Sequence, residues 1–174
     1  PQTSTWQSLL LDSNSAADLS KPYPFFLAHA YQPEAALPNP ESWQIEWKWD
    51  GIRCQWVHRN GHSFLWSRGE ELITDSFPEL TSGTMPMEGD WVLDGELLPG
   101  KPGAWLPFSE LQRRLNRKRL SPALLRDIPV GFMAYDVLEF QGKDLRQEPL
   151  RERRRILEAD FRPSSALEIS PAWC

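Results

Sequence analysis

From Trp43 to Asp50 the chain alternates strictly, with Trp43, Ile45, Trp47 and Trp49 on one side and Gln44, Glu46, Lys48 and Asp50 on the other. A period of two marks a strand with one polar face. The extended pattern continues from Ile52 to Arg59 and meets Asn60-Gly61, a pair whose tolerance of positive φ suits a type I′ hairpin turn. His62 to Ser67 is then the return strand. Asp75 to Leu80, with Pro78 in its first turn, predicts a short helix. Trp91 to Leu98 predicts another strand, interrupted at Asp94-Gly95-Glu96, and Gly100 to Pro107 a loop. Phe108, Leu111 and Leu115 stand at helical spacing, and Arg113, Arg114, Arg117, Lys118 and Arg119 fall mostly on the other faces, which predicts a basic helix over 108–120.

Further on, Ser121-Pro122 is an N-cap followed by a proline suited to the first helical position, opening a helix through Arg126. Val130 to Phe140 is a β-rich apolar run closed by a Gln141-Gly142 turn signal. Pro149 to Asp160 predicts a helix bearing Arg151, Arg153, Arg154 and Arg155, with Glu148, Glu152 and Glu158 near enough for helical ion pairing. Leu167 to Ser170 begins one more strand. Strands joined by hairpins and interleaved with a few helices imply an α+β fold with a largely antiparallel sheet.

Ahead of this pattern, Pro1 to Lys21 is rich in Ser, Asn, Asp and Gln around one apolar cluster, Leu9-Leu10-Leu11, and reads as a linker. Pro22 to Ala28 is held extended by its prolines and is apolar enough to lie against a core. The domain is therefore expected to run over residues 22–174, with a loop from Tyr31 to Pro40. A chain of 174 residues suffices for one core, and 40% hydrophobic with 25% charged residues excludes wholesale disorder. A net charge of -5 argues against nucleic-acid binding by bulk electrostatics and leaves that task to local Lys and Arg. Two cysteines, Cys54 and Cys174, supply neither a disulfide framework nor a four-ligand zinc site. With no membrane-length apolar run and no signal-peptide pattern, a soluble, cytoplasmic protein is expected.

Several residues could carry chemistry. Lys48, on a half-buried strand among tryptophans, would have its ammonium form disfavoured by desolvation and so expose a nucleophilic amine. Taken alone, the strand pattern favours the plainer reading, in which Lys48 is simply the outward residue of an alternating strand. Arg53 and Arg68 lie within reach of the same hairpin and suit phosphate oxygens or ribose hydroxyls, or else are solvated surface charges. Glu96 suits a ribose hydroxyl or a hydrated metal ion, or is a turn carboxylate. Tyr135 offers a ring to a base, or is a core aromatic. His58 and His62 flank the hairpin turn with no third ligand nearby, so metal is not expected there. The basic helix could track a nucleic-acid backbone through Arg113, Arg114, Arg117 and Lys118, or simply be solvated.

The order of these residues adds what none of them carries singly. Lys48-x-Asp50-Gly51-x-Arg53, Ser67-Arg68-Gly69, Asp94-Gly95-Glu96-Leu97 and Phe132-x-x-Tyr135-Asp136 follow one another. The series resembles the successive motifs of the covalent nucleotidyltransferases, specifically ATP-dependent DNA ligases of bacterial type, from about Phe25 onward. The resemblance implies an ATP-grasp-like adenylation domain whose antiparallel sheets, flanked by helices, clasp the nucleotide. It implies a catalytic set of Lys48, Asp50 and Arg53, with Lys48 attacking the α-phosphate of ATP to form lysyl-AMP. It further implies Glu46 reading the adenine amino group, Arg53 and Glu96 on the ribose side, Arg68 at the phosphates, Tyr135 stacking on adenine and Glu96 serving Mg2+. AMP would pass to a 5′-phosphate in nicked double-stranded DNA, which the adjacent 3′-hydroxyl then seals, as in replication, recombination and repair.

The family's later Glu-Gly…Lys motif and its final lysine motif would follow residues 167–170, whereas this sequence stops at Cys174. The expectation is therefore an incomplete adenylation domain of a longer ligase, without the N-terminal DNA-binding and OB-fold domains and with weak or no self-adenylation alone. An RNA ligase, a guanylyl-transferring capping enzyme and a non-catalytic binding module remain open as alternatives.

Overall fold

The computed structural model describes residues 19–26, 39, 43–83, 85–115, 117 and 120–173. The expected linker up to residue 18, the loop at 31–38, Lys118, Arg119 and Cys174 lie outside the described residues. Among those described, no helix is long and apolar enough to cross a membrane.

The main sheet runs in the order β3-β2-β4-β6-β7, with all neighbours antiparallel. Its strands are β2 (Ile52–Arg59), β3 (His62–Ser67), β4 (Trp91–Lys101), β6 (Val130–Phe140) and β7 (Lys143–Asp144). Two short strands extend it: β5 (Ala104–Trp105) folds back on β4, and β8 (Leu167–Ile169) joins β6 in parallel. A separate two-stranded ribbon pairs β1 (Ile45–Glu46) with β9 (Ala172–Trp173). The helices are α1 (Pro78–Thr81), α2 (Phe108–Leu115), α3 (Pro122–Asp127) and α4 (Leu150–Asp160). The α+β, largely antiparallel architecture is as expected.

Local chemistry explains most of the turns. Asn60 and Gly61 have φ of 50° and 74°, and Gln141 and Gly142 have 52° and 73°, so both two-residue hairpins are built from left-handed backbone as read. Ser121 Oγ accepts from the Leu124 amide and caps α3. The helix expected over 75–80 is divided: a 3-10 turn at Thr74–Ser76 ends at Phe77 before Pro78 opens α1. The strand expected to be interrupted at Asp94-Gly95-Glu96 is continuous to Lys101. Gly95 is there because its partner strand is close: a Cβ would lie 2.4 Å from both the Met133 carbonyl oxygen and the Phe132 ring.

The two faces of the sheet have different covers. Cys54 and Trp56 of β2, with Trp91, Leu93 and Leu97 of β4, face a core shared with Phe77, Leu80, Leu111, Leu157 and Phe161 from the helical side. Edge-to-face ring pairs run through it, Trp56–Trp91 at 5.3 Å and Trp91–Phe161 at 5.7 Å between centroids. Fully burying an aliphatic or phenyl side chain of this kind stabilises by about 1.5–3 kcal/mol. The opposite face carries Val57, Val92 and Leu138 under Tyr23. Farther along the same alternation it bears Arg53, Asp94 and Glu96. That half of the sheet is the floor of the cleft.

Candidate active site

The approach to the cleft departs from the strand expected over residues 43–50. Only Ile45–Glu46 pairs as strand, and most of the apolar side of the alternation is open, with Trp47 63% exposed and Ile45 and Trp43 exposed as well. Trp47 rests edge-on against Trp173 of β9. Gln44 and Glu46 are half-buried, and Trp49 anchors the segment inward by donating Nε1–H to Ser170 Oγ at 2.9 Å. Lys48 is exposed at the cleft mouth, so the half-buried setting expected for it is not what surrounds it. A two-residue period separates faces without saying which one the rest of the chain will cover.

Gly51 lets this segment lie close against β4. A Cβ on it would fall 2.2 Å from the Leu97 carbonyl oxygen and 2.8 Å from Glu96 Cγ, so close backbone approach is what demands glycine there. The Gly51 amide hydrogen-bonds the Glu96 carboxylate. Burial nevertheless dominates at Glu96 and pushes its pKa up to about 7, against the opposing pull of Gly51, Arg53 and Lys48. Burial likewise raises the Glu46 carboxyl above its ordinary value, with Gln44 donating to it in opposition.

Arg53 is more committed than its position in the sequence suggested. Its Nε and Nη2 donate to the two Asp94 oxygens at 3.3 and 2.9 Å, and Nη1 donates to the Phe26 carbonyl at 2.6 Å. Asp94 is only 2% exposed, and its desolvation outweighs Arg53 enough to leave its pKa raised. Across the strand pair, Asp94 stands opposite Asp136, whereas Gly95 stands opposite Ala134. The shift leaves Tyr135 as the extra residue of a bulge, a device that re-aims a side chain near a site. Tyr135 donates its hydroxyl to the Gly95 carbonyl at 3.2 Å, and burial raises its pKa. Asp136 is gripped by Arg153 of α4 through two bonds of 2.8 Å. Asp94 and Asp136 read from the sequence only as motif members and Arg153 only as one charge of its helix, because their partners lie 41 and 17 residues away.

These groups surround two adjoining cavities. The larger, about 650 Å³, has Glu46, Lys48, Arg53, Arg68, Glu96 and Tyr135 in its wall. The smaller, about 390 Å³, shares Lys48, Arg53, Arg68 and Glu96 with it and adds Asp50. Every nucleotide-site residue read from the sequence thus borders one cleft. Of the four cations lining the larger cavity, Arg53 and Arg153 are neutralised by Asp94 and Asp136. Lys48 and Arg68 have no ion pair among the described residues.

The basic helix does not present one surface. Arg114 is buried, its guanidinium over the Phe77 ring and bound to Glu79 and to the carbonyls of Ser76 and Ile128. It cannot track a phosphate backbone from there, and its place as a DNA contact is withdrawn. Arg113 is exposed and paired with Glu110, and Arg117 is exposed. On α4 the expected helical pairing holds for Arg154 with Glu158 and Arg155 with Glu152, whereas Arg151 meets only its neighbour Glu152, at 3.8 Å, and Arg153 turns to the cleft. Burial lowers the pKa of His58, which stacks on Trp91 and bonds Ser63, and no group of three metal-ligating side chains occurs among the described residues.

A cleft with an aromatic wall and two cations that have no ion pair among the described residues fits a nucleoside triphosphate. Glu96, a cleft carboxylate without an arginine ion pair among the described residues, fits a magnesium ion that takes most of its ligands from phosphate and water.

Comparison with known proteins agrees. Residues 25–172 match the family model described as ATP dependent DNA ligase domain. A probable DNA ligase of Opitutus terrae is 44% identical over 126 residues, covering 70% of this chain and 12% of that protein. A DNA ligase of Haloarcula marismortui is 34% identical over 159 residues, covering 90% of this chain and 28% of that protein. The chain therefore spans well under a third of these relatives. Among solved structures, the ligase domain of M. tuberculosis LigD superposes with a TM-score of 0.57 at 27% identity, covering 73% of this chain and 38% of that one. A mycobacterial DNA ligase D complexed with ATP and MES gives 0.57 at 26%, covering 74% and 39%. The chain belongs to the ATP-dependent DNA ligase family, as its adenylation domain.

Proposed function

We propose that the cleft binds ATP and that Lys48 takes AMP from it as the first step of nick sealing. The observation that carries this is the convergence of Glu46, Lys48, Arg68, Glu96 and Tyr135 on one cavity in which Lys48 and Arg68 are the cations without an ion pair among the described residues. Phosphate is drawn to these two rather than to Arg53 or Arg153, whose charge is already met. Lys48 releases a proton to solvent at the open mouth, and its Nζ attacks the α-phosphorus. A P–N bond forms and the P–O bond to pyrophosphate breaks, with pyrophosphate taking the electron pair. Arg68 meets charge developing on the phosphates. Asp50, two residues beyond the nucleophile, lines the smaller cavity beside it. Arg53 retains two unused N–H donors for the ribose side, and the Tyr135 ring, set by its bulge, supplies a stacking face for adenine while Glu46 reads its amino group.

Magnesium, held at Glu96, would offset phosphate charge as nucleophile and leaving group separate. AMP is then handed to the 5′-phosphate of a nick in duplex DNA, and the 3′-hydroxyl displaces it. Arg113 and Arg117 remain candidates for the duplex backbone.

The test is to express the sequence from the longest reading frame that carries it and incubate the protein with ATP labelled at the α-phosphorus and Mg2+. Protein-bound label that withstands denaturation and alkali but is released by acid is expected of a P–N bond, and unlabelled ATP should compete better than GTP. Absence of label, or label that GTP displaces equally well, would overturn the assignment.

A further inference from the structure

The sheet face that floors the cleft has a second occupant. Residues 19–26 lie across its other half, and their bonds to the sheet are mostly made by backbone atoms. Arg59 Nη1 donates to the carbonyls of Leu19 and Lys21 at 3.1 and 2.8 Å, and Trp66 Nε1 donates to that of Ser20 at 2.6 Å. Gln55, 0% exposed, uses both ends of its amide on one residue: Tyr23 N–H donates to Oε1 at 2.8 Å, and Nε2 donates to the Tyr23 carbonyl at 2.9 Å. A side chain thus replaces the partner strand that would otherwise fix the register of this segment. The last tie is at the cleft itself. Arg53 Nη1 donates to the Phe26 carbonyl, Phe25 lies 5.7 Å under the guanidinium, and Phe26 borders the larger cavity.

Arg53 and Gln55 are two residues apart on β2 and so project from the same face. The segment that Gln55 clamps is the one that reaches Arg53. Asp94 fixes one edge of the guanidinium and the strap fixes the other.

We propose that residues 19–26 are a positioning strap for the nucleotide site, in which Gln55 sets the register of Tyr23 and thereby the placement of the Phe26 carbonyl against Arg53. Gln55 is a positioning residue, acting through Arg53. The functional half rests on the proposed lysyl-AMP chemistry; the structural half does not.

The experiment compares Gln55→Leu with Tyr23→Phe. The first removes both amide bonds; the second removes only the Tyr23 hydroxyl bond to Glu139 and leaves the clamp. Two signals are read in the same protein, the 15N–1H resonance of Arg53 Nε and the ATP dependence of lysyl-AMP formation. Gln55→Leu should shift or broaden the Arg53 signal and raise KM for ATP about tenfold, with a smaller change in the maximal rate. Tyr23→Phe should lower Tm yet leave both signals as in the wild type. In an Arg53→Ala background, Gln55→Leu should have no further effect on KM. An unchanged Arg53 resonance in Gln55→Leu would overturn the strap as a positioning device, whether or not the protein forms lysyl-AMP. A shifted resonance with unchanged KM, or an equal loss in the Arg53→Ala background, would overturn its service to the reaction. If the wild type forms no lysyl-AMP, the functional half falls with the proposed chemistry, and the resonance alone decides the structural half.

Discussion

Glu96→Gln should stabilise the protein and impair it. In the folded state burial moves this carboxyl from an ordinary 4.5 to about 7. A raised folded pKa means that the folded protein binds the proton more tightly than the unfolded chain does. Stability is thus fullest below the unfolded pKa and is lost as pH rises through about 7. The full shift corresponds to roughly 3 kcal/mol, at about 1.4 kcal/mol per unit. The carboxyl lies in a cleft open to water, so solvent screening reduces this to roughly 1–2 kcal/mol. Glutamine keeps the oxygen that accepts from the Gly51 amide and has no charge to desolvate. Urea unfolding followed by tryptophan fluorescence should show Glu96→Gln raising the midpoint by about 0.5–1 M at about pH 8, for a slope near 2 kcal/mol/M. Near pH 5 most of the gain should have vanished, because the folded carboxyl is then protonated and the pH lies only just above the ordinary value that the unfolded one keeps, and the remainder should go below about pH 4. The same variant should lose magnesium-dependent lysyl-AMP formation, since a site built to hold a cation is held at the expense of stability. A variant that is destabilised at both pH values, or stabilised equally at both, would refute the reasoning.

Other expectations follow from single contacts. Glu79→Ala strands the buried Arg114 guanidinium and should cost about 3–5 kcal/mol in denaturant unfolding, most of it recovered by Glu79→Leu combined with Arg114→Met. Arg113→Ala should stay within about 0.5 kcal/mol of the wild type. Gly51→Ala drives a methyl group into the Leu97 carbonyl and displaces the Lys48 segment, so lysyl-AMP formation should fall more than about a hundredfold. Tyr135→Phe should lose about 1 kcal/mol of stability with its bond to Gly95 yet keep ATP binding, whereas Tyr135→Ala should weaken binding by about 1–3 kcal/mol in a titration.

The hairpins were legible because their signals are local. Asn60-Gly61 and Gln141-Gly142 need only their own φ angles, and Ser121 needs only the amide three residues on. The order of Lys48, Arg68, Glu96 and Tyr135 was legible as a motif series, and they do border one cleft. What escaped was long-range. Asp94 read as part of a turn because its arginine partner is 41 residues away. Arg114 read as one more charge on a basic helix because Glu79 is 35 residues away. The alternation of 43–50 separated two faces but could not show their cover: Gln44, Glu46 and Trp49 are half-buried, whereas Trp43, Ile45, Trp47 and Lys48 are exposed. Tyr135 was named for its ring, but the bulge that aims it exists only in the pairing of β4 with β6.

The most direct test of the central claim is tandem mass spectrometry of the protein after incubation with ATP and Mg2+, digested under alkaline conditions that spare a P–N bond. The account expects an adenylyl adduct on the peptide spanning Glu46 to Arg53, with fragment ions placing it on Lys48, and no adduct in Lys48→Arg. An adduct on any other residue, or one that persists in Lys48→Arg, would contradict it.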